Sequence, residues 1–435
     1  MGRDAAKSAT EEMGFYPEPA LQEYVSSIGM AMAESSERPE IPWSFTVIDE
    51  PVVNAFALPG GPIFVTRGIL SHMNSEAQLA SVLGHEIGHI TARHSVRQLS
   101  RAQLAQIGLV GAMIARPELQ GLFDVGGQAL GLLFLRFGRD AETEADNLGF
   151  GYMTGRRYDP SEMAEMFRTL GRTAGDERRA PQWLSTHPDP GNRVVRTEER
   201  IAAWQPPAEP LTINREPFLR RLDGLVFGDD PRQGYFRQDV FFHPTLTFEL
   251  AFPRGWKTQN ARTQVAGVST ARDAIAVLTI AGKEGVSRAA RAFTGQQNVR
   301  VLDSSTSNIN GLPAATILFQ AQAGQAVLGG YAAFIELDGT TYRILTYTAQ
   351  ERVRSYNQVF RETIGSFRRL TDPERLTIRP QRVRLVQLTS RMTLSEFNER
   401  YPSVIPIEQL ATINGADSAS ASLAAGTLVK RVVAE

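Results

Sequence analysis

The sequence predicts a multidomain chain. A mainly α-helical first domain comes first, then an α+β domain built on an antiparallel sheet, then a small α/β module. Three observations carry this. The 435 residues, 42% hydrophobic and 21% charged, have a globular composition and exceed one ordinary core. Apolar residues recur at helical spacing before about residue 205 and at period two from about residue 243. Between the two regimes, "WQPPAEP" (204–210) places three prolines in seven residues. The expected division is 1–205, a linker at 206–242, a sheet domain at 243–371 and a module at 382–435.

Taken in order, "PEPALQEYVSSIGMAMAES" (17–35) carries Leu21, Val25, Ile28 and Met32 at helical spacing. "WSFTVID" (43–49) and "GPIFVTRGIL" (61–70) read as strands joined through "PVVNAFALPG". A long helix is expected from Ser75 into the nineties. Ser75 with Gln78 forms a capping-box pattern, and Leu79, Val82, Leu83, Ile87 and Ile90 form a buried stripe. An apolar helical hairpin is expected over 102–137, and another helix starts near Arg139. Residues 211–242 are linker-like, with "GDDPRQG" inside. From 243 onward, "LTFELAF", "AIAVLTI", "AATILFQ", "YAAFIEL" and "TYRILTY" alternate as half-buried strands, and Asp338-Gly339 signals a hairpin. Val353, Tyr356, Phe360, Ile364 and Phe367 then share one helical face. The last module reads strand, helix, helix, strand, with Asn414-Gly415 ending its second helix.

Composition excludes several classes. The balance of 46 basic and 47 acidic side chains gives no basic excess for phosphate, which argues against nucleic acid as a partner. Without cysteine there is no disulfide framework, thiolate metal site or thiol nucleophile. No apolar run reaches the ~20 residues of a transmembrane helix. "MGRDAAKSAT" lacks the apolar segment of a signal peptide, as expected of a cytosolic chain or an exported one whose signal is gone.

"SVLGHEIGHI" (81–90) carries the chemistry. His85 and His89 project from one helical face, one turn apart, which suits two imidazoles on one ion. Glu86 lies about 100° around the helix, where it reaches a water on the same ion rather than the ion itself. This H-E-x-x-H arrangement makes Glu86 the general base. Gly84 and Gly88 permit close approach of another backbone or a substrate.

A catalytic zinc takes a third protein ligand. The best candidate lies in "RDAETEADNLGF" (139–150), where Glu142 and Asp146 are four apart beside Ala145 and Gly149. Glu142 is then the ligand. Asp146 accepts the far N–H of a ligand histidine and fixes its tautomer. In "STHPDPGNR" (185–193), His187 is placed to cap the open metal position or to hydrogen-bond a tetrahedral intermediate. Arg193 is placed to stabilise the oxyanion or to pair with an acid. His72, His94 and His243 have no such context; His94, five residues after His89, is expected to turn away from the metal face and reads as structural or exposed.

"GHEIGH", "ETEAD" and "STHPDPGNR", preceded by "NAFALPGG", together resemble the BepA/HtpX-like zinc metalloproteases of the CAAX prenyl-protease type, over about residues 15–205. The resemblance implies a gluzincin domain with one Zn2+ on His85, His89 and Glu142, Glu86 as base, and a protein or peptide substrate. It also implies that Asn54, Ala55, Phe56 and Ala57 lie in an edge strand beside the cleft. Lacking the spanning helices of membrane members, the chain is similar to the soluble exported branch, which implies a periplasmic or exported location. There the His-Pro histidine approaches zinc and holds the enzyme latent, and His187 is the matching position. Residues 243–371 resemble more loosely a PsbP-like sandwich. The last module resembles a LysM domain, which implies a cell-wall glycan or envelope protein as partner. It departs from LysM at Arg391-Met392, where the family has Gly-Asp. A different expectation is a largely latent chaperone or scaffold of the envelope, its metal mainly structural.

Overall fold

Helices α1 (Gly2–Met13) and α2 (Pro19–Ala33) lead into a three-stranded sheet of β1 (Ser44–Ile48), β2 (Ala55–Ala57) and β3 (Pro62–Thr66). The computed structural model describes residues 2–97, 137–173, 183, 186–188, 190–323 and 326–435. The expected hairpin at 102–137 lies outside the described residues, apart from Phe137. In the sheet, β3 is central, parallel to β1 and antiparallel to β2. Proline at the first turn of α2 costs nothing, because no intrahelical acceptor awaits its missing N–H.

Next come α3 (Arg67–His72), α4 (Glu76–Thr91), α5 (Arg139–Gly155), α6 (Ser161–Thr173), α7 (Pro190–Ala203) and α8 (Arg215–Arg221). Ser75 caps α4 as expected, its side chain accepting from Gln78 N at 3.1 Å. The return bond of the box differs: Gln78 Oε1 accepts from Asn74 N at 2.6 Å, one residue early. The sequence predicts a one-sided apolar stripe on α4, yet every residue from Ala77 to Ile90 is buried. Polar His85, Glu86 and His89 are enclosed along with the stripe because α5 packs directly on them. Small residues make that packing close. A Cβ on Gly88 would meet Ala145 O at 2.9 Å, and one on Gly149 would meet His85 N at 2.8 Å. The α4 and α5 backbones therefore touch, as the glycines led one to expect.

The chain divides into two compact units. One contains the described residues up to 229 together with 380–435. The stretch expected as a linker carries α8 and the short strand Val226–Phe227, which pairs with the strand Gln381–Gln387. Gln381–Gln387 also pairs with Leu428–Ala434, and helices Leu394–Arg400 and Ile407–Ile413 lie between them in sequence. Strand, helix, helix, strand is the expected order. Val383, Leu394, Phe397, Leu410 and Val432 share one apolar cluster with Leu70, Met73, Leu79 and Leu83 of the helical region. Lys430, fully buried, donates to Ser71 O at 2.9 Å and Met73 O at 2.8 Å, and burial depresses its pKa far below the usual lysine value.

His72 reports on the same region. It is buried with Nδ1 2.9 Å from Gly68 O, and burial pushes its pKa down to about 4 from an ordinary 6.5. Between those values the unfolded chain binds the extra proton, so stability is complete above 6.5 and is lost as pH falls through this window. Urea unfolding at pH 7 and pH 4.5 should show an acid loss smaller by about 2–3 kcal/mol in His72→Gln than in wild type. Equal losses would contradict the assignment.

The second unit comprises the described residues within 230–379. Seven strands run Val299–Ile309, Leu312–Ala323, Ala326–Leu337, Thr340–Ala349, Ala274–Gly282, Gln264–Val268 and Lys257–Ala261 across an antiparallel sheet. Alternation works on both faces. Ala333 and Ile335 join one core with Ile364 and Phe367; Ala332 and Phe334 join another with Val286 and Phe293. Asp338 and Gly339 both have positive φ, +50° and +73°, the two-residue turn that matches strand twist. A four-stranded sheet completes the unit.

Candidate metal centre

Helix α4 presents His85 and His89 with their Nε2 atoms 2.9 Å apart. Helix α5 brings Glu142, its Oε2 3.5 Å from His85 Nε2 and its Oε1 3.4 Å from His89 Nε2. His187 joins them, Nδ1 lying 3.2 Å from His85 Nε2 and 2.9 Å from Glu142 Oε1. One ligand atom from each of these four buried residues lies within 4.8 Å of all the others.

Hydrogen bonds behind the rings decide what this cluster can hold. His85 Nδ1 donates to Asp146 Oδ1 at 2.9 Å. His89 Nδ1 lies 2.9 Å from His94 Nδ1, whose other nitrogen is 3.1 Å from Glu144 Oε2. With the Nδ1 protons committed, both Nε2 lone pairs converge on one point beside a carboxylate. Such a cluster repels itself unless a cation sits in it. Glu142 Oε2 and Glu86 Oε1 are also buried without a hydrogen-bond partner among the described residues. Nitrogen and oxygen donors without sulfur, converging this way, fit a divalent metal ion.

Burial, reinforced by Arg193, pushes the His85 pKa down to about 4. Burial and the neighbouring His85 hold that of His89 well below the usual imidazole value. Both rings are therefore neutral and free to ligate at pH 7. Burial opposes ionisation of Glu142, but His187 and Arg193 beside it hold its carboxyl far below the ordinary range. Glu86 is different: burial prevails and raises it to about 7. A carboxyl poised there exchanges protons readily at neutral pH.

Of the two roles open to Arg193, the geometry shows pairing with acids. Nε and Nη2 grip Asp146 at 2.9 and 2.6 Å, and Nη1 lies 3.1 Å from Glu142 Oε2, an ion pair too poorly angled for a hydrogen bond. Its guanidinium sits 4.1 Å over the Phe167 ring. His187 occupies the fourth corner of the cluster, with Nε2 3.7 Å from Glu86 Oε1.

His94 corrects an expectation. It is 5% exposed and faces His89 instead of turning away. Helix α4 ends at Thr91 with Ala92 as its cap, and Arg93 takes φ +59°, which folds the chain back. Such turns are signalled by glycine or asparagine, so an arginine gave no warning. Trp183 was missed too. It stacks on His187 with centroids 4.1 Å apart, four residues earlier in sequence, the one signal available. Phe137 likewise stacks on His89 at 4.1 Å.

The expected edge strand lies close by. Asn54 is buried at its start, Ala55–Ala57 form β2, and β2 pairs with β3 alone among the described residues. Just before it, Val53 O accepts from Trp183 N at 3.2 Å. A cavity of ≈ 460 Å³ is lined by Pro59 and Gly60, beyond β2, and by His89, Ile90 and Arg93.

This arrangement has relatives. Residues 19–201 match the model of Peptidase family M48. Over that stretch the chain is similar to the metallopeptidases of this family. The chain is 37% identical over 189 residues to mitochondrial metalloendopeptidase OMA1 of Arabidopsis thaliana, covering 43% of this chain and 36% of the relative. Against OMA1 of Schizosaccharomyces pombe it is 34% identical, covering 48% and 61%. Against the beta-barrel assembly-enhancing protease of Escherichia coli K12 it is 30% identical, covering 43% and 40%. The chain thus spans between 36% and 61% of the length of these relatives. Among solved structures, cyanobacterial PsbP from Synechocystis sp. PCC 6803 is similar at TM-score 0.26 and 14% identity, over 31% of this chain and 94% of that one. A score of that size assigns no fold. No helix among the described residues is long and apolar enough to cross a membrane.

Proposed function

We propose that the chain is a zinc-dependent endopeptidase acting on unfolded or misassembled envelope proteins, held latent by His187. The observation that carries this is the convergence of His85, His89 and Glu142 lone pairs beside Glu86, whose buried Oε1 has no hydrogen-bond partner among the described residues. Zinc bound there would supply polarisation of the scissile carbonyl and a water of pKa near ~7. Glu86 takes the proton of the attacking water and passes it to the leaving amine. Asp146 holds His85 in its ligating tautomer, and Arg193 keeps Asp146 and Glu142 charged. The side of β2 that is unpaired among the described residues offers an extended peptide a strand to pair with, leading toward the cavity at His89.

Supporting the envelope assignment are the name of one relative, a beta-barrel assembly-enhancing protease, and the LysM-like sequence of 382–435. We read the helical region as a gluzincin domain and 243–371 as PsbP-like on sequence signals. The C-terminal regions recruit a cell-wall glycan or an envelope protein, in a periplasmic or exported setting.

The test is cleavage of an unfolded casein by the zinc-loaded chain, with and without chelator. His187→Ala should raise the rate about tenfold or more by freeing the fourth corner. No cleavage by either protein would sink the reading. A second reading rests on the near-complete burial of His187 under Trp183: a permanently four-coordinate structural metal. It predicts that His187→Ala loses zinc and melts at lower temperature, with no gain in activity.

A further inference from the structure

His85 has an evident orienting partner in Asp146. His89 has none of that kind. Behind it stands a second histidine, held there by an unfavourable turn. In a continuous helix, residue 94 would point about 140° away from His89. Arg93 instead adopts φ +59°, which costs a non-glycine residue about 1–2 kcal/mol. A new helical turn then starts, with Arg97 N donating to Arg93 O at 3.0 Å. The reversal places His94 against His89, their rings edge-on with centroids 5.0 Å apart.

The contact is nitrogen to nitrogen at 2.9 Å, so one proton must lie between the two rings. Glu144 decides which ring owns it. This carboxylate only accepts, and it lies 3.1 Å from His94 Nε2, with Arg97 3.8 Å from the same oxygen. His94 therefore carries its proton on Nε2 and offers a bare Nδ1. His89 must donate from Nδ1, which leaves its Nε2 lone pair facing His85, Glu142 and His187.

We propose that His94 and Glu144 are positioning residues that lock His89 as the Nδ1-protonated tautomer and so set the metal affinity of the centre. Neither touches the reacting atoms. This rests on the metal-site reading above. It adds that the two ligand histidines are oriented by different devices, one a carboxylate and the other a histidine–carboxylate relay.

The experiment is zinc affinity of the full chain by chelator competition, alongside the melting temperature of the metal-free protein. His94→Leu removes the acceptor and should weaken zinc binding about 10- to 100-fold. His94→Asn places an amide oxygen where Nδ1 stood and should restore most of the loss. Glu144 is half exposed, so Glu144→Ala tests the outer link without threatening the core and should weaken zinc about tenfold. A lower metal-free melting temperature with wild-type zinc affinity would show that His94 is only structural and overturn the proposal. So would unchanged affinity in Glu144→Ala. Absence of zinc binding in the wild type would instead overturn the metal site itself.

Discussion

Glu86→Gln should abolish peptide hydrolysis, lowering kcat by about 10²–10⁴-fold, while zinc content stays at the wild-type level. Glutamine has nearly the same shape but cannot accept a proton at neutral pH. The buried Oε1 of Glu86 has no hydrogen-bond partner among the described residues, so no bond at that atom is lost on substitution. It stands on the same helix as the two histidines yet projects to a different side, so the ligand set is untouched. Burial raises its pKa to about 7, which places base strength and proton release in balance near pH 7. Activity assays paired with metal analysis check this. A metal-loaded Glu86→Gln variant with wild-type turnover would remove Glu86 from the chemistry.

Arg193→Met should destabilise the metal-free chain by about 3–5 kcal/mol. The guanidinium is 1% exposed and faces two buried carboxylates, Asp146 and Glu142. Methionine keeps much of the contact with Phe167 but leaves both acids without their cation. Zinc should recover part of the loss, because a divalent ion at Glu142 takes over half of the compensation. Urea unfolding with and without zinc measures both effects. A variant as stable as wild type without metal would show that the acids are neutral and the ion-pair account mistaken.

Legibility in the sequence followed the range of the interaction. His85, Glu86 and His89 lie within two turns of one helix, so spacing alone gave their relation. Glu142 and Asp146 were readable because a like-charged pair four apart, beside small residues, makes sense only facing a cation or a close helix. Gly149 against His85 N shows how close that helix comes. His94 was not readable, because its position depends on a left-handed Arg93 that no propensity indicates. The burial of Lys430 was hidden for another reason. It alternates in phase with Leu428 and Val432, which places it inside, but a lysine there reads as surface. Its two carbonyl acceptors come from Ser71 and Met73, more than 350 residues away in sequence. The sharing of one core by 380–435 and the helical region escaped detection for the same reason.

The central claim is that His85, His89 and Glu142 hold one divalent ion. Equilibrium dialysis against zinc, followed by elemental analysis of wild type and of the His85→Ala/His89→Ala double variant, tests it most directly. The account predicts one zinc per wild-type chain and none retained by the variant at equal free zinc. Zinc retained in full by the variant, or absent from the wild type, would contradict it.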